Sequence, residues 1–511
     1  MRAATRQGPA LAIALFTALP VPAAEPTMAD LLAEIRRLEA RLTEIEHRQS
    51  SQAAEATADV SPSAPGADVP ALAERVEALE AANRRVEQSI ADDHISERDP
   101  EVVARLKDVE IRTLAVQRQA RTIEALEGIT AGAQLTMVGQ YADEESTFTG
   151  EDDSELNYRG DVAVTLPGGE FGNAEGRIFA QFRFGQGNGL SELNPTFTST
   201  PNTTAFALTN GDDSAALLAQ AWYQLDVPLP LKGHKPLSKK HLELNFGKID
   251  PFVFFDQNVA ADDESTRFLN NVFVHNALLD SGGDMGMDIY GFTPGVRLAY
   301  RSDQQDPEWW QASVAAFGAG SGASFDDSFD SPMFVGQLEF GRKFFGGLDG
   351  NYRLYAWHNP QAPGFDGLSR THEGVGLSFD QRVHDAITLF GRYGHALQEG
   401  QRTFDKALTL GAEFGGRYWD RSSDAIGVAW GWLDSTDDFQ DASATVDADG
   451  DGTPDFGYTA DGAEQIAEIY YRWQLHSQLD ITPDFQLVHN PGANDAADLV
   501  KIFGVRVKAA F

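Results

Sequence analysis

"DLVKIFGVRVKAAF", Asp498 to Phe511, closes the chain and carries the pattern on which the fold turns. Counting back from the end, Phe511, Ala509, Val507, Val505 and Phe503 form an apolar series, with Ala510, Lys508, Arg506 and Gly504 interleaved as a small or polar one. Successive side chains of a strand point to opposite faces, so one face of this segment wants an apolar surrounding and the other wants water. A strand of a soluble sandwich and a strand of a lipid-facing barrel both meet that demand. The rest of the chain decides between them.

The same alternation starts at Gly128 and recurs to the end. In "ITAGAQLTMVGQY" the apolar positions are Ala131, Ala133, Leu135, Met137 and Tyr141; in "NYRGDVAVTL" they are Tyr158, Val162, Val164 and Leu166, opposite Asn157, Arg159, Asp161 and Thr165. "GRIFAQFRF" sets Ile178, Ala180, Phe182 and Phe184 against Arg177, Gln181 and Arg183, and similar segments surround Leu242, Phe334, Tyr352, Val375, Leu389, Leu408, Val428 and Ile469. Short alternating segments separated by Gly, Asp and Asn are the sequence form of a transmembrane β-barrel. Residues 128–511 accommodate about sixteen antiparallel strands of about ten residues with loops of unequal length; fourteen or eighteen fit the arithmetic almost as well. Aromatic residues at segment ends (Tyr141, Tyr158, Phe344, Trp357, Trp432, Tyr470, Phe511) are expected to form the interfacial girdles.

Ahead of the barrel the period is different. Residues 1–24 read as a secretory signal peptide: Arg2 and Arg6, an apolar run from Ala10 to Leu19, then Ala23 and Ala24 at the cleavage site. Residues 25–127 read as an α-helical coiled-coil region in the periplasm. Met28, Leu31, Ile35, Leu38, Leu42 and Ile45 are spaced by threes and fours; a Ser/Ala/Pro linker spans 50–70; Leu72, Val76, Leu79, Asn83, Val86 and Ile90 resume the seam. Such a segment can self-associate, as a trimer for example, or lie as a single charged helix against another surface.

The 77 acidic against 40 basic residues, a net charge of -37, exclude nucleic acid as a partner, because phosphate neutralisation needs clustered Lys and Arg. The chain has no cysteine, so an exported protein of this size stands without disulfides. The expected location is the outer membrane of a Gram-negative-type cell, in contact with its lipids and lipopolysaccharide.

Three stretches together resemble the carbohydrate-selective outer-membrane porins of the OprB type. "NFGKIDPFVFFDQNVAADDESTRFLNNVFVHN", Asn245 to Asn276, resembles that family's most distinctive segment. "EIYYRWQLHSQLDITPDFQLVHNPGAN" with "LVKIFGVRVKAAF" is similar to its closing three strands, and "ITLFGRYG" with "DRSSDAIGVAWG" to the strands before them. The resemblance covers most of 128–511 and none of the helical region. It implies a 16-stranded barrel with one pore per chain that passes sugars and other small neutral solutes by diffusion, with no enzymatic step and no required cofactor. The long heptad region departs from the simplest members and leaves the oligomeric state open.

A pore works through its lining. Alternation turns Arg177, Gln181, Arg183, Trp222, Gln224, Glu243, Asn245, Arg353, Trp357, Arg392 and Arg506 inward, where amides, carboxylates and guanidinium groups can exchange hydrogen bonds with sugar hydroxyls or simply pair with one another. The apolar "GKIDPFVFFDQN" stretch is expected to fold inward as a constriction, with Lys248 and Arg267 as cations near it. "DADGDGTPD" puts Asp447, Asp449, Asp451 and Asp455 at positions 1, 3, 5 and 9 of a calcium loop, but Tyr458 stands where a bidentate Glu belongs. The motif reads equally as a structural calcium site in an extracellular loop or as a solvated acidic turn.

Four other readings compete. An anion or phosphate porin wants rings of Lys and Arg, the opposite of this charge balance, whereas a general cation-preferring pore suits it. An envelope tether would use the coiled coil and keep the barrel as an anchor. An outer-membrane enzyme lacks support: there is no nucleophile-elbow motif and no convincing Ser and His pairing.

Overall fold

The structure is a computed structural model, and it describes residues 128–511 apart from 198–199, 207, 209–212, 232–237 and 399. The expected signal peptide and coiled coil, residues 1–24 and 25–127, lie outside the described residues. Sixteen antiparallel strands form a closed barrel. The first eight are β1 (Thr130–Ala142), β2 (Asp153–Phe171), β3 (Ala174–Gln186), β4 (Ser214–Pro228), β5 (Lys240–Ile249), β6 (Thr293–Gln305), β7 (Glu308–Phe317) and β8 (Met333–Phe344). The second eight are β9 (Leu348–Pro363), β10 (Ser369–His384), β11 (Ile387–Ala396), β12 (Phe404–Gly415), β13 (Ala425–Ser435), β14 (Ala463–His476), β15 (Leu479–His489) and β16 (Val500–Ala510).

Closure is made by the terminal stretch. β16 pairs with β1 from Gln134↔Ala510 to Ala142↔Ile502, and the backbone of Phe511 exchanges hydrogen bonds with Ala133. With no edge strand, every ladder group is satisfied without water, which a wall in hydrocarbon requires. The alternation holds: Phe503 and Val505 are 52% and 50% exposed on the outer face, whereas Arg506, the next residue after Val505, is 1% exposed inside.

Connections at one end are short, such as 172–173, 306–307 and 477–478; those at the other include 187–213, 250–292 and 436–462. Short turns face the periplasm and long loops the exterior in outer-membrane barrels. The aromatic girdle needs one correction. Tyr141, Phe344 and Phe511 are exposed on the outer surface, but Trp357 and Tyr470 are 4% and 1% exposed and point into the lumen. Each lies flat on an inward-facing glycine of the next strand. A Cβ at Gly374 would sit 2.1 Å from Trp357, and one at Gly427 2.1 Å from Tyr470.

Those rings belong to a core that lies inside the barrel. Loop 250–292 folds inward and buries Phe252, Phe255, Phe268, Val272, Phe273 and Leu278 against Phe317, Val335, Tyr355, Phe390 and Tyr470 of the wall. Burying one such phenylalanine contributes roughly 1.5–3 kcal/mol relative to exposure, which favours docking over a loop left in water. The lumen is thereby divided: the loop packs its apolar side chains mainly against β7 to β14, and the polar side chains Arg159, Asp161, Gln224, Asn245 and Arg297 line β2 to β6.

Candidate functional site

Loop 250–292 is held by wall side chains that reach into its backbone. Glu468 on β14 accepts from the amides of Leu269 (2.6 Å) and Asn270 (3.0 Å), and Asn270 in turn caps the one-turn helix α1 (Asn271–Val274) through Val272 N. Asp256 accepts from Tyr355 Oη and Asn276 N, each at 2.6 Å, and pairs with Arg392 Nε at 3.0 Å. Asp284 receives Trp357 Nε1 (2.7 Å) and Arg402 Nη2 (2.9 Å), and His372 Nδ1 lies 2.5 Å from its other oxygen. Asp256 and Asp284 are tolerated as buried charges because each is paired with an arginine and hydrogen-bonded.

A second loop, 187–213, descends beside the first. Thr203 N donates to Leu269 O at 2.9 Å, Asn271 N to Thr200 O at 3.1 Å, and the wall amides Gln140 and Gln486 both donate to Pro201 O. Between these loops and the β2–β3 wall lies a cavity of about 620 Å³, lined by Arg159, Arg183, Asp250, Glu264, His275 and Phe292 among others. On the wall side Arg159 Nε and Arg183 Nε bind the two oxygens of Asp161 at 3.1 and 2.8 Å, and Gln181 Nε2 joins them at 2.8 Å. Across the gap Glu264 Oε1 meets Arg159 Nη2 at 2.5 Å. Arg183 and Lys248 stand 5.2 and 5.4 Å from the Phe292 ring centre.

The loop face of the cavity is acidic and aromatic. His275 stacks on Phe252 with ring centres 3.7 Å apart, and its Nδ1 lies 2.7 Å from Asp280. Burial pulls the His275 pKa down, but the hydrogen bond and charge of Asp280 outweigh it, so the net shift is upward. Burial pushes the Asp250 and Asp262 carboxyls up.

Every residue named from the sequence for the lining is on the inner face or on the inserted loop, but they fall into three groups. Arg183 reaches the cavity, with Gln181 beside it. Arg177, Gln224, Asn245 and Glu243 continue along the same wall: Arg177 Nη2 donates to Gln224 (2.7 Å), Asn245 donates to Gln224 (2.9 Å), and Arg297 donates to Asn245 (2.8 Å) and Glu243 (3.1 Å). Trp222 donates to Gln220 and stacks on Phe179 at 4.9 Å in that wall.

The third group is taken up by fixed pairs. Arg353 lies between Glu339 (2.8 Å) and Asp380 (2.9 Å), Arg506 donates to the carbonyls of Glu264 and Arg267, and Arg392 and Trp357 hold the loop as described above. Lys248 pairs with Asp288 at 3.3 Å and Arg267 with Glu413 at 3.4 Å. Arg159, Glu264 and His275 were not singled out from sequence. For Arg159 the signal was there, since it sits on the polar face of "NYRGDVAVTL"; Glu264 and His275 lie in a loop, where parity says nothing.

In the outer loop 436–462, Asp447, Asp449 and Asp451 each bring an oxygen within 4.8 Å of the others. Their carboxylates also accept from the amides of Gly450, Asp451, Gly452 and Thr453. Asp455 accepts from Ala448 N, and Tyr458, at the twelfth position, turns away to donate to Gly492 O.

Among curated proteins no relative matches. Among solved structures, the high-pH structure of Pseudomonas putida OprB aligns with a TM-score of 0.58 at 15% identity, over 77% of this chain and 96% of that one. Its low-pH structure aligns with a TM-score of 0.43 at 14% identity over the same shares of the two chains. A mutant of the Rh. blastica porin aligns at 0.40 and 11% identity, over 75% of this chain and 100% of that one. The first of these likenesses supports the fold alone. The family described as carbohydrate-selective porin, OprB family, matches residues 101–511. With that match over most of its length and a closed barrel whose lumen is narrowed by an inserted loop, the chain belongs to the OprB family of carbohydrate-selective porins, outer-membrane channels for small solutes.

Proposed function

We propose that the gap between the β2–β3 wall and loop 250–292 is the selective passage, and that it conducts sugars by diffusion along a fixed set of hydrogen-bonding groups. The observation that carries this reading is the cavity of about 620 Å³ with the Arg159, Asp161 and Arg183 cluster along one side and the loop carboxylates Asp250, Asp262 and Glu264 on the other. A sugar entering a narrow passage loses water from its hydroxyls, each of which is both donor and acceptor. Opposed donors and acceptors replace that water without rearranging. Conduction also needs release, so the contacts must be weak and repeated. Gln181, Arg177 and Glu243 supply such a series on one wall, braced by Gln224 and Asn245, with Trp357, Arg392 and Arg506 fixing the loop opposite and Arg353 held in the wall between Glu339 and Asp380.

Transport of this kind uses no cofactor and no covalent step. The acidic outer loops, including Asp447, Asp449 and Asp451, favour cations over anions at the mouth. Calcium held by those three carboxylates is a weak, structural occupant in this reading. Residues 25–127 form the self-associating segment in the periplasm. The deciding experiment is reconstitution in planar bilayers with added mono- and disaccharides. Concentration-dependent reduction of the ion current supports the proposal; a current indifferent to every sugar overturns it.

A further inference from the structure

Resting on the sugar-passage reading above, we propose that Asp161 determines the solute class: by binding both wall arginines it keeps the passage open to uncharged polyols and closed to sugar acids and sugar phosphates. Two guanidinium groups on adjacent strands of a narrow pore would ordinarily make a strong anion site, since both carry a permanent charge and paired donors. Here the charge is cancelled locally. Asp161 Oδ2 lies 3.1 Å from Arg159 Nε and its Oδ1 2.8 Å from Arg183 Nε, while Glu264 from the loop takes Arg159 Nη2 at 2.5 Å. Two cations thus meet two carboxylates, and no net positive charge is left on that side.

The local sequence explains how one carboxylate serves both. Arg159 and Asp161 are two apart on β2 and share its inner face, and Arg183 is the β3 residue in register with Asp161. Asp161 is itself 5% exposed and fixed by Gln181 Nε2 at 2.8 Å, so it behaves as part of the wall and not as a mobile counterion. A carboxylate of the solute would have to displace it or remain unpaired beside Asp250, Asp262 and Glu264, which also border the cavity. A neutral hydroxyl faces neither cost. Asp161 acts on the solute through the arginines and is a positioning and charge-setting residue.

The test uses full-length protein in planar bilayers under a salt gradient, with liposome swelling in glucose and in gluconate. Asp161→Asn should move the zero-current potential toward anion preference and raise the gluconate-to-glucose rate ratio about fivefold, the factor that roughly 1 kcal/mol of unscreened attraction supplies. Asp161→Glu, which keeps the charge, should stay near wild type. Glu264→Gln removes the second carboxylate from the loop without touching the ladder and should move both readouts in the same direction by less; it decides the matter if Asp161→Asn does not fold. Folded variants whose potential and rate ratio remain at wild-type values overturn the proposal, as does an Asp161→Glu shift equal to that of Asp161→Asn. Wild type that fails to pass glucose would defeat the sugar reading, yet the zero-current comparison would still test Asp161.

Discussion

Asp256, on the inserted loop, and Arg392, on β11, form a 3.0 Å ion pair inside the barrel, with side chains 0% and 1% exposed. Arg392 also donates to the loop carbonyls of Asp256 and Phe273, so one side chain grips the loop at several points. Asp256→Ala strands a buried guanidinium, an effect of about 3–5 kcal/mol. The wall ladder is untouched, so the barrel should still assemble while the loop loosens. Single-channel recording should show higher conductance and a noisier open state; unchanged conductance would show that the pair does not hold the constriction.

The Tyr470 ring occupies the space that a side chain at Gly427 would need. Gly427→Ala should therefore cost about 1–3 kcal/mol through overpacking. It should also pull Tyr470 Oη from its 2.8 Å bond to Glu413, the partner of Arg267. A lowered urea midpoint in lipid vesicles would measure the effect, and the outward-facing Val428→Ala should serve as the mild comparison.

Because the His275 pKa is raised in the folded loop, its protonated form favours docking. That contribution is complete below the unfolded value of about 6.5 and disappears as pH rises through the folded value. Open-channel noise should accordingly increase on going from about pH 6 to pH 9. His275→Gln, which cannot titrate, should flatten that dependence; an equally steep profile in the variant would assign the titration to another group.

Calcium should bind the outer loop only in the range of about 10⁻⁴–10⁻³ M, since the twelfth position supplies no carboxylate. Calorimetry with Asp447→Asn beside wild type checks this. Loss of a weak isotherm in the variant supports the site, and a flat wild-type trace to about 10 mM argues for a self-capped acidic turn.

Deleting residues 25–127 while keeping the proposed signal peptide, residues 1–24, should leave conductance and sugar block unchanged while lowering the mass of the detergent-solubilised particle. An unchanged mass by light scattering would remove self-association from the role of this segment.

The strand pattern was legible because alternation is a local property that lipid on one side enforces at nearly every step. Leu135, Phe182, Leu354 and Val505 could be turned outward without knowing any partner. Inward direction was legible too, but use was not. Whether Arg183 meets the cavity or Arg353 is locked between Glu339 and Asp380 depends on neighbours from other strands. Tyr470 misled as a girdle residue because a segment-end aromatic is ambiguous until its strand parity is followed; Trp357 fits both the girdle and the lining by sequence, and its inward direction is the one the structure has. Glu264, His275 and Asp280 were beyond reach for another reason: loop 250–292 has no fixed period, and its path is set by contacts such as Glu468 with Leu269 and Asn270.

The division of the lumen separates two kinds of change available to this protein over evolutionary time. Substitutions along β2 to β6 can retune what is admitted while the buttress formed by β7 to β14 stays intact. A lineage facing a new nutrient could thus explore specificity through a handful of wall positions, without first having to re-engineer the support on which its filter rests.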